Sequence, residues 1–284
     1  MSIYFIDGKF ADKQEISISV DDRGYYFGDG VYEVIKVYNG KLYTANEHIQ
    51  RLFESADKIK LSVPYTEQQI IEIASKLVEN NNLDTGHIYL QVTRGNAKRV
   101  HQFPNPSVQP VFMAYALTNP RLVANMEVGI TVKSVEDVRW LRCDIKSLNL
   151  LGNVLAKQEA QEAGCFEALL HRDGVVTEGS ASNFFGIKDG VVYTHPATNL
   201  ILNGITRQTV MRLCQEIGLP IEEKAFTLRE AFQMDELFLT STTSEVMPVV
   251  AVDQSLIGEG QPGVITKKLQ EAFAAQIPVP IGKN

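Results

Sequence analysis

The sequence predicts a mixed fold of helices and strands arranged in two domains. Segments with the apolar spacing of a helix alternate with short strand-like runs along the 284 residues. A polar stretch around Pro120 has the composition of a linker between the two domains. We therefore expect a small N-terminal domain over residues 1–119, a linker over residues 120–125, and a larger C-terminal domain over residues 126–284.

Composition narrows the class of protein. The chain is 44% hydrophobic and carries a net charge of -7, which is typical of a globular protein and argues against nucleic acid as a partner. Three scattered cysteines indicate reduced thiols and a cytoplasmic location. The first residues lack the pattern of a secretory leader, and no apolar run approaches the roughly 20 residues that cross a membrane. We expect no membrane partner.

The N-terminal elements follow from alternation and turn chemistry. Alternating apolar residues and the turn signal Asp7–Gly8 predict a hairpin within residues 2–20. A loop rich in Gly and Asp then opens onto a strand over residues 31–38, with Tyr32 near its start. Tyr32 either packs within the sheet or directs its phenol into a site.

Two helices follow in the N-terminal part. Helical periodicity predicts them over residues 47–60 and 66–80, and Thr66 with Gln69 matches a capping box at the start of the second. Arg51 lies off the centre of the first helix's apolar stripe. It is a surface residue unless it binds an anion.

A strand over residues 88–93 precedes a segment in which Arg99 and His101 are two residues apart. On an extended segment this spacing places both side chains on one face. A cation beside an imidazole suits a carboxylate ligand, although a solvated loop pair explains the pattern equally well.

Lys146 has an unusual place in the C-terminal part. A strand-like run leads into the stretch 140–155, and a helix-like run over residues 149–163 follows it. Most lysines are solvated, and that interpretation remains open for Lys146. The alternative is a partly buried amine whose pKa is lowered by desolvation and which can form a Schiff base.

Two further segments could bind an anion. Gly204–Thr206 precede a clear helix, with Thr206 as a candidate N-cap, and free amides at a helix start attract anions. Thr240–Ser244 are five successive hydroxyl residues after a strand, which form either a solvated loop or a phosphate cradle. The histidines do not cluster with Asp, Glu or Cys at metal-ligand spacing, so we expect no metal.

The order of these elements resembles the fold type IV class of pyridoxal-phosphate enzymes over essentially the whole chain. That class includes branched-chain aminotransferases, D-amino-acid aminotransferases and aminodeoxychorismate lyases. Its most specific element here is Glu178 followed five residues later by Asn183-Phe-Phe. Tyr32 and the Arg-Gly-x-x-x-Arg99-x-His101 segment are most similar to the D-amino-acid aminotransferases.

The resemblance implies an α+β fold with a small N-terminal domain and a larger, β-rich pseudo-barrel domain that carries the lysine. It implies pyridoxal 5'-phosphate as cofactor, held by Lys146 as a Schiff base, with Lys146 also acting as the general base. It implies that Glu178 binds the pyridine nitrogen. The implied phosphate ligands are Arg51, Gly204, Ile205, Thr206, Ser241 and Thr242, and the implied ligands of the substrate carboxylate are Tyr32, Arg99 and His101.

The implied reaction transfers the amino group of a D-amino acid, such as D-alanine, to a 2-oxo acid such as 2-oxoglutarate, which gives D-glutamate. The class also implies a homodimer in which Arg99 and His101 reach the neighbour's site. Three alternatives within the class are an aminodeoxychorismate lyase, an L-branched-chain transaminase and an (R)-amine transaminase. An alternative of another kind is a non-catalytic small-molecule binding protein.

Overall fold

The computed structural model describes residues 2–279, which divide into two units. The first contains residues 2–121, Ile145–Asn149 and residues 278–279. The second contains Leu122–Asp144 and Leu150–Ile277. Because helix α4 occupies Val123–Val128, the linker is shorter than the residues 120–125 that the sequence predicts.

The first unit is built on a six-stranded antiparallel sheet in the order β2-β1-β6-β5-β3-β4. Its elements are β1 (Ile3–Ile6), β2 (Lys9–Asp12), α1 (Arg23–Phe27), β3 (Gly30–Tyr38), β4 (Lys41–Leu42), α2 (Ala45–Lys58), α3 (Glu67–Asn80), β5 (Gly86–Thr93) and β6 (Val111–Thr118).

Helices α2 and α3 bury their apolar stripes against this sheet. Leu52 of α2 and Leu77 of α3 are fully buried in one core with Ile35 and Leu90 of the sheet. The capping box at Thr66 is present, which confirms the predicted start of α3. Burial of an apolar side chain of this size contributes about 1.5–3 kcal/mol, so the two stripes anchor the helices.

The N-terminal hairpin is tighter than the sequence suggests. Ile6 pairs with Lys9 across Asp7–Gly8, and both turn residues have positive φ angles, 42° and 90°. The partner strand β2 therefore follows the turn at once, and the hairpin ends at Asp12 and does not extend to residue 20 as the sequence predicts.

The segment Ile145–Asn149 is the main departure from the predicted domains. The amide of Tyr32 donates to the carbonyl of Lys146 at 3.0 Å, and the amide of Leu148 donates to Gly30 at 3.0 Å. Ile145 lies in the core of the first unit. Lys146 therefore belongs to the first unit and not to the C-terminal domain, because its backbone extends the edge of β3.

The second unit is dominated by a nine-stranded mixed sheet. The order is β12-β11-β10-β13-β14-β7-β8-β9, with β15 paired to β14. Together with the first unit this confirms the α+β class. Its elements are α4, β7 (Ile130–Glu136), α5 (Leu151–Glu162), β8 (Glu167–Arg172), β9 (Val175–Gly179), β10 (Asn183–Lys188), β11 (Val191–Thr194), α6 (Ile205–Glu216), β12 (Ile221–Glu223), α7 (Leu228–Ala231), β13 (Glu236–Ser241), β14 (Glu245–Val252), β15 (Ser255–Leu256) and α8 (Val264–Ala274).

The C-terminal segment contacts the first unit. Asn39 donates from Nδ2 to the carbonyl of Pro278 at 2.7 Å. Pro278 is therefore tied to the loop after β3, and residues 280–284 lie outside the described residues. Within residues 2–279, no helix has both the length and the apolar content to cross a membrane.

Candidate active site

Lys146 is held at the edge of β3 by its own backbone. Its amide donates to Oγ of Ser55 at 3.2 Å, while its carbonyl accepts from Tyr32. Its partly buried side chain brings Nζ within 4.2 Å of the centre of the Tyr32 ring. The structure therefore places the predicted lysine and the predicted tyrosine in direct contact, with the cation over the aromatic face.

Arg51 lies in a buried ion pair with Glu33 of β3. Nε and Nη2 of Arg51 donate to the two carboxylate oxygens at 2.6 and 2.9 Å. His48 Nδ1 and the amide of Val34 also donate to Oε2, at 2.8 and 3.1 Å. In the described part of the chain, Glu33 therefore receives one hydrogen bond at Oε1 and three at Oε2, with a cation bound across both oxygens.

The charges around Glu33 outweigh its burial. Burial alone would raise the pKa of the Glu33 carboxyl, but the charges of Arg51 and His48, with their hydrogen bonds, lower it. Burial lowers the pKa of the His48 imidazole, and the charge of Glu33 and its hydrogen bond only partly oppose this. Arg51 is therefore fixed in place by an ionised partner.

Arg99 and His101 lie on an exposed loop between β5 and β6. The ring of His101 packs edge-on against Phe27 with the centroids 5.6 Å apart. The guanidinium of Arg99 lies 5.4 Å from the same ring. The structure thus brings these two predicted residues together on one aromatic side chain.

Glu178 is the centre of a second buried cluster, in the second unit. Arg139 Nη1 donates to Oε1 at 2.6 Å, and Asn183 Nδ2 and the amide of Leu202 donate to Oε2 at 3.0 and 2.9 Å. Asp137 binds Arg139 through Nε and Nη2, both at 2.9 Å. Arg139 is therefore shared between two carboxylates.

The pKa of Glu178 shifts in the direction opposite to that of Glu33. Burial raises the pKa of Glu178, and the charge of Arg139 only partly opposes this. Asp137, also buried, has a lowered pKa because its hydrogen bonds from Arg139 and Thr177 outweigh burial. Glu178 is thus the less stabilised anion of the two.

The N-cap of helix α6 is Gly204, and this corrects the expectation that Thr206 is its N-cap. Gly204 has φ -62° and ψ 137°, and within the described residues no side chain caps the helix. A Cβ at Gly204 would lie 2.1 Å from Oδ1 of Asn183, so only glycine fits beside that amide. The first turn, with Ile205 and Thr206, therefore presents uncapped amides.

The loop of five hydroxyl residues, Thr240–Ser244, also lies beside Asn183. Asn183 of β10 pairs with Thr240 of β13, the residue before Ser241. Oγ of Ser241 accepts from the amide of Ser244 at 3.0 Å, which closes a tight turn around Thr242. The predicted residues of the second unit therefore converge where β9, β10 and β13 meet the start of α6.

The sequence matches the amino-transferase class IV family over residues 30–252. The chain belongs to this family. This class IV aminotransferase is 48% identical over 273 residues to the D-alanine aminotransferase of Staphylococcus haemolyticus, covering 96% of this chain and 97% of that one. It is also 48% identical over 277 residues to the D-alanine aminotransferase of Bacillus licheniformis, with 98% and 97% covered.

Solved structures show that the fold hosts more than one reaction. The branched-chain amino acid aminotransferase of Escherichia coli matches with a TM-score of 0.92 at 26% identity, covering 97% of this chain and 94% of that one. A putative 4-amino-4-deoxychorismate lyase from Legionella pneumophila matches with a TM-score of 0.82 at 25% identity, covering 93% and 97%. The fold confirms the type IV class, and the class IV aminotransferase is an enzyme.

Sequence reasoning missed Glu33, Asp137 and Arg139 in this aminotransferase. Glu33 did carry a signal, because in β3 it shares a face with Val31 and Ile35, which are fully buried. A charge on an apolar strand face predicts a buried partner. Arg139 gave no such signal, since its segment has no regular periodicity.

Proposed function

We propose that this aminotransferase transfers the amino group of D-amino acids, D-alanine among them, to a 2-oxo acid such as 2-oxoglutarate, which becomes D-glutamate. Its near-half identity with D-alanine aminotransferases over almost the whole chain carries the proposal. Relatives with other substrates share the fold at about a quarter identity. Fold alone does not choose among these reactions.

The donor set fits pyridoxal 5'-phosphate. Among the described residues three donors reach Glu178, which leaves one of about four acceptor positions for a pyridine N–H. The uncapped first turn of α6 fits a phosphate. When bound, the cofactor supplies an electron sink that delocalises the charge left at Cα when its proton leaves.

The roles of the chain's own residues follow. Nζ of Lys146 carries the cofactor covalently between turnovers and moves the proton at Cα of the amino acid. Glu178 keeps the pyridine nitrogen protonated. Arg51, Gly204, Ile205, Thr206, Ser241 and Thr242 hold the phosphate.

Stereochemistry depends on where the substrate carboxylate is bound. Tyr32, in contact with Lys146, binds it together with Arg99 and His101. A D-amino acid bound there presents its Cα hydrogen to Nζ of Lys146. The L-enantiomer, with its carboxylate bound by the same residues, would present a different substituent of Cα to Nζ of Lys146.

The same proposal includes a homodimer in the cytoplasm. Leu151, Val154 and Leu155 form an apolar stripe on α5, each more than half exposed in the single chain. Such a stripe favours contact with a second copy.

The three cysteines are free thiols, which agrees with a reducing compartment.

The test is turnover of D-alanine and 2-oxoglutarate, followed by chiral analysis of the glutamate formed. We expect D-glutamate and pyruvate from the wild type and no turnover from Lys146→Ala. Lys76→Ala is the control, because Lys76 is an exposed lysine of α3 in the same unit. Turnover of L-leucine alone, or release of pyruvate from aminodeoxychorismate alone, would contradict the proposal.

A further inference from the structure

A buried arginine supports the exposed loop that carries Arg99 and His101. Residues 98–103 are all exposed, whereas Arg23 of α1 is only 3% exposed. Nη1 of Arg23 donates to the carbonyls of Val100 and Gln102 at 2.7 and 3.3 Å, and Nη2 donates to that of His101 at 3.3 Å. One guanidinium thus holds three successive carbonyls of the loop.

Arg23 is itself anchored through Asp29. Nε of Arg23 donates to Oδ2 of Asp29 at 2.8 Å. Nε of Arg94 donates to both oxygens of Asp29, at 3.1 and 2.9 Å, and its other nitrogens donate to the carbonyls of Ile59 and Lys60 after α2. A continuous set of charged hydrogen bonds therefore links the loop to the end of α2.

Helix α1 supports the side chains of the loop as well as its backbone. The ring of Phe27, one turn after Arg23, contacts both the guanidinium of Arg99 and the ring of His101. The guanidinium of Arg23 also lies 4.9 Å from that ring. Helix α1 thus holds both Arg99 and His101 of the loop.

We propose that Arg23, together with Phe27, is a positioning residue that pre-sets the Arg99–His101 clamp for the α-carboxylate of the substrates. The inference rests on the proposed function, in which Arg99 and His101 bind that carboxylate. An exposed loop ordinarily loses conformational freedom when it binds a ligand, and this loss weakens binding. Because Arg23 already restricts the loop before a ligand binds, less conformational freedom is lost on binding. KM is therefore lower for both the D-amino acid and the 2-oxo acid.

The test is a double-mutant cycle with Arg23→Gln and Arg99→Ala, read as KM and kcat for D-alanine and 2-oxoglutarate. We expect Arg23→Gln to raise both KM values by about tenfold or more, because a small misplacement of binding groups is costly. We expect kcat and cofactor affinity to stay near the wild type, since uniform binding is what is lost. Arg23→Gln should raise KM by a smaller factor in the Arg99→Ala background than in the wild type, because part of its effect acts through Arg99 and the rest through His101.

The variants separate positioning from general damage. Asp29 keeps Arg94 as a partner in Arg23→Gln, so no buried carboxylate is left unpaired. Arg23→Lys should recover only part of the loss, because an ammonium cannot reach Asp29 and three carbonyls together. Val78→Ala weakens the core of the same unit away from the loop and should leave both KM values unchanged.

Amide hydrogen exchange of residues 96–103 gives a readout that does not depend on the reaction. We expect Arg23→Gln to speed this exchange and Val78→Ala to leave it unchanged. Unchanged KM and exchange in Arg23→Gln, while Arg99→Ala raises KM, would overturn this inference alone. Full additivity of the two substitutions would also overturn it. Absence of D-alanine turnover in the wild type would overturn the proposed function as well.

Discussion

Glu33 of the first unit and Glu178 of the second are both buried beside an arginine, and the pKa values of the two carboxyls shift in opposite directions. Within residues 2–279, Glu33 receives hydrogen bonds from Arg51, His48 and the amide of Val34, four in all. In the same part of the chain Glu178 receives three, and its partner Arg139 is also bound by Asp137. The pKa of Glu33 is accordingly lowered and that of Glu178 is raised.

The difference supports the proposal that Glu33 has a structural role and that Glu178 has a role in the reaction. A carboxylate that receives four hydrogen bonds and pairs with its own cation is already well stabilised as an anion, and it serves to fix Arg51. A carboxylate with one open acceptor position and incomplete charge compensation gains most from a further cationic donor. This supports the proposal that Glu178, and not Glu33, is the partner of a protonated pyridine nitrogen.

Glu178→Gln should show the largest effect. The amide cannot hold a proton on the pyridine nitrogen, so we expect kcat to fall by on the order of 100-fold or more, as for loss of an electrostatic partner in a catalytic site. Stopped-flow measurement of the D-alanine half-reaction would detect this. Glu33→Gln is the matched control, and equal loss of kcat in both variants would remove the distinction between the two glutamates.

Glu33→Gln should instead reduce stability. It removes one partner of a buried ion pair, which costs about 3–5 kcal/mol. We expect a lower free energy of unfolding and weaker cofactor binding, because Arg51 loses its fixed position. The test is urea unfolding of Glu33→Gln and Glu178→Gln, each compared with the wild type. A smaller loss of unfolding free energy in Glu33→Gln than in Glu178→Gln would contradict this prediction.

The two glutamates should also give opposite pH dependence of stability. The folded-state pKa of Glu33 lies below the unfolded value of about 4.3, so its contribution is complete above that pH and is lost as the pH falls toward the folded pKa. The folded-state pKa of Glu178 lies above its unfolded value, so its contribution is complete below about pH 4.3 and is lost as the pH rises through the folded pKa.

Unfolding of the cofactor-free protein between about pH 2 and pH 7 measures both contributions, that of Glu33 below about pH 4.3 and that of Glu178 above it. The deficit of Glu33→Gln relative to the wild type should shrink toward acid. The stability of Glu178→Gln relative to the wild type should improve toward neutral pH. The same pH trend in both variants would show that the two pKa values shift in one direction.

Asp137→Asn should give the smallest effect. Asp137 raises the pKa of Glu178 through its charge, so its removal leaves Arg139 more fully available to Glu178 and lowers that pKa. We expect kcat to change by on the order of tenfold, or about 1.4 kcal/mol in the barrier. The pH profile of kcat is the measurement, and an unchanged profile would show that Asp137 does not act on Glu178.

The sequence predicted the local elements of the fold better than its long-range pairings. Periodicity and the Thr66 capping box located α3 because both signals lie within a few residues. The pairing of Ser147 with Val31 joins residues more than one hundred positions apart, and no local pattern marks it. The position of Lys146 in the first unit could therefore not be derived from the order of segments.

The candidate site shows the same division. Motif order identified Glu178, Gly204–Thr206 and Ser241, which the structure gathers beside Asn183. The arginine that binds Glu178 lies 39 residues earlier in the chain and depends on tertiary packing. Ion-pair partners of this kind follow from the fold and not from spacing along the sequence.

The most direct test of the central claim is the absorbance spectrum of the purified enzyme with D-alanine or L-leucine added to separate samples. We predict that D-alanine alone removes the band of the lysine-bound cofactor. Loss of the band with L-leucine alone would contradict the assignment of Tyr32, Arg99 and His101 to the carboxylate of a D-substrate. A purified protein with no cofactor band at all would contradict the roles of Lys146 and Glu178.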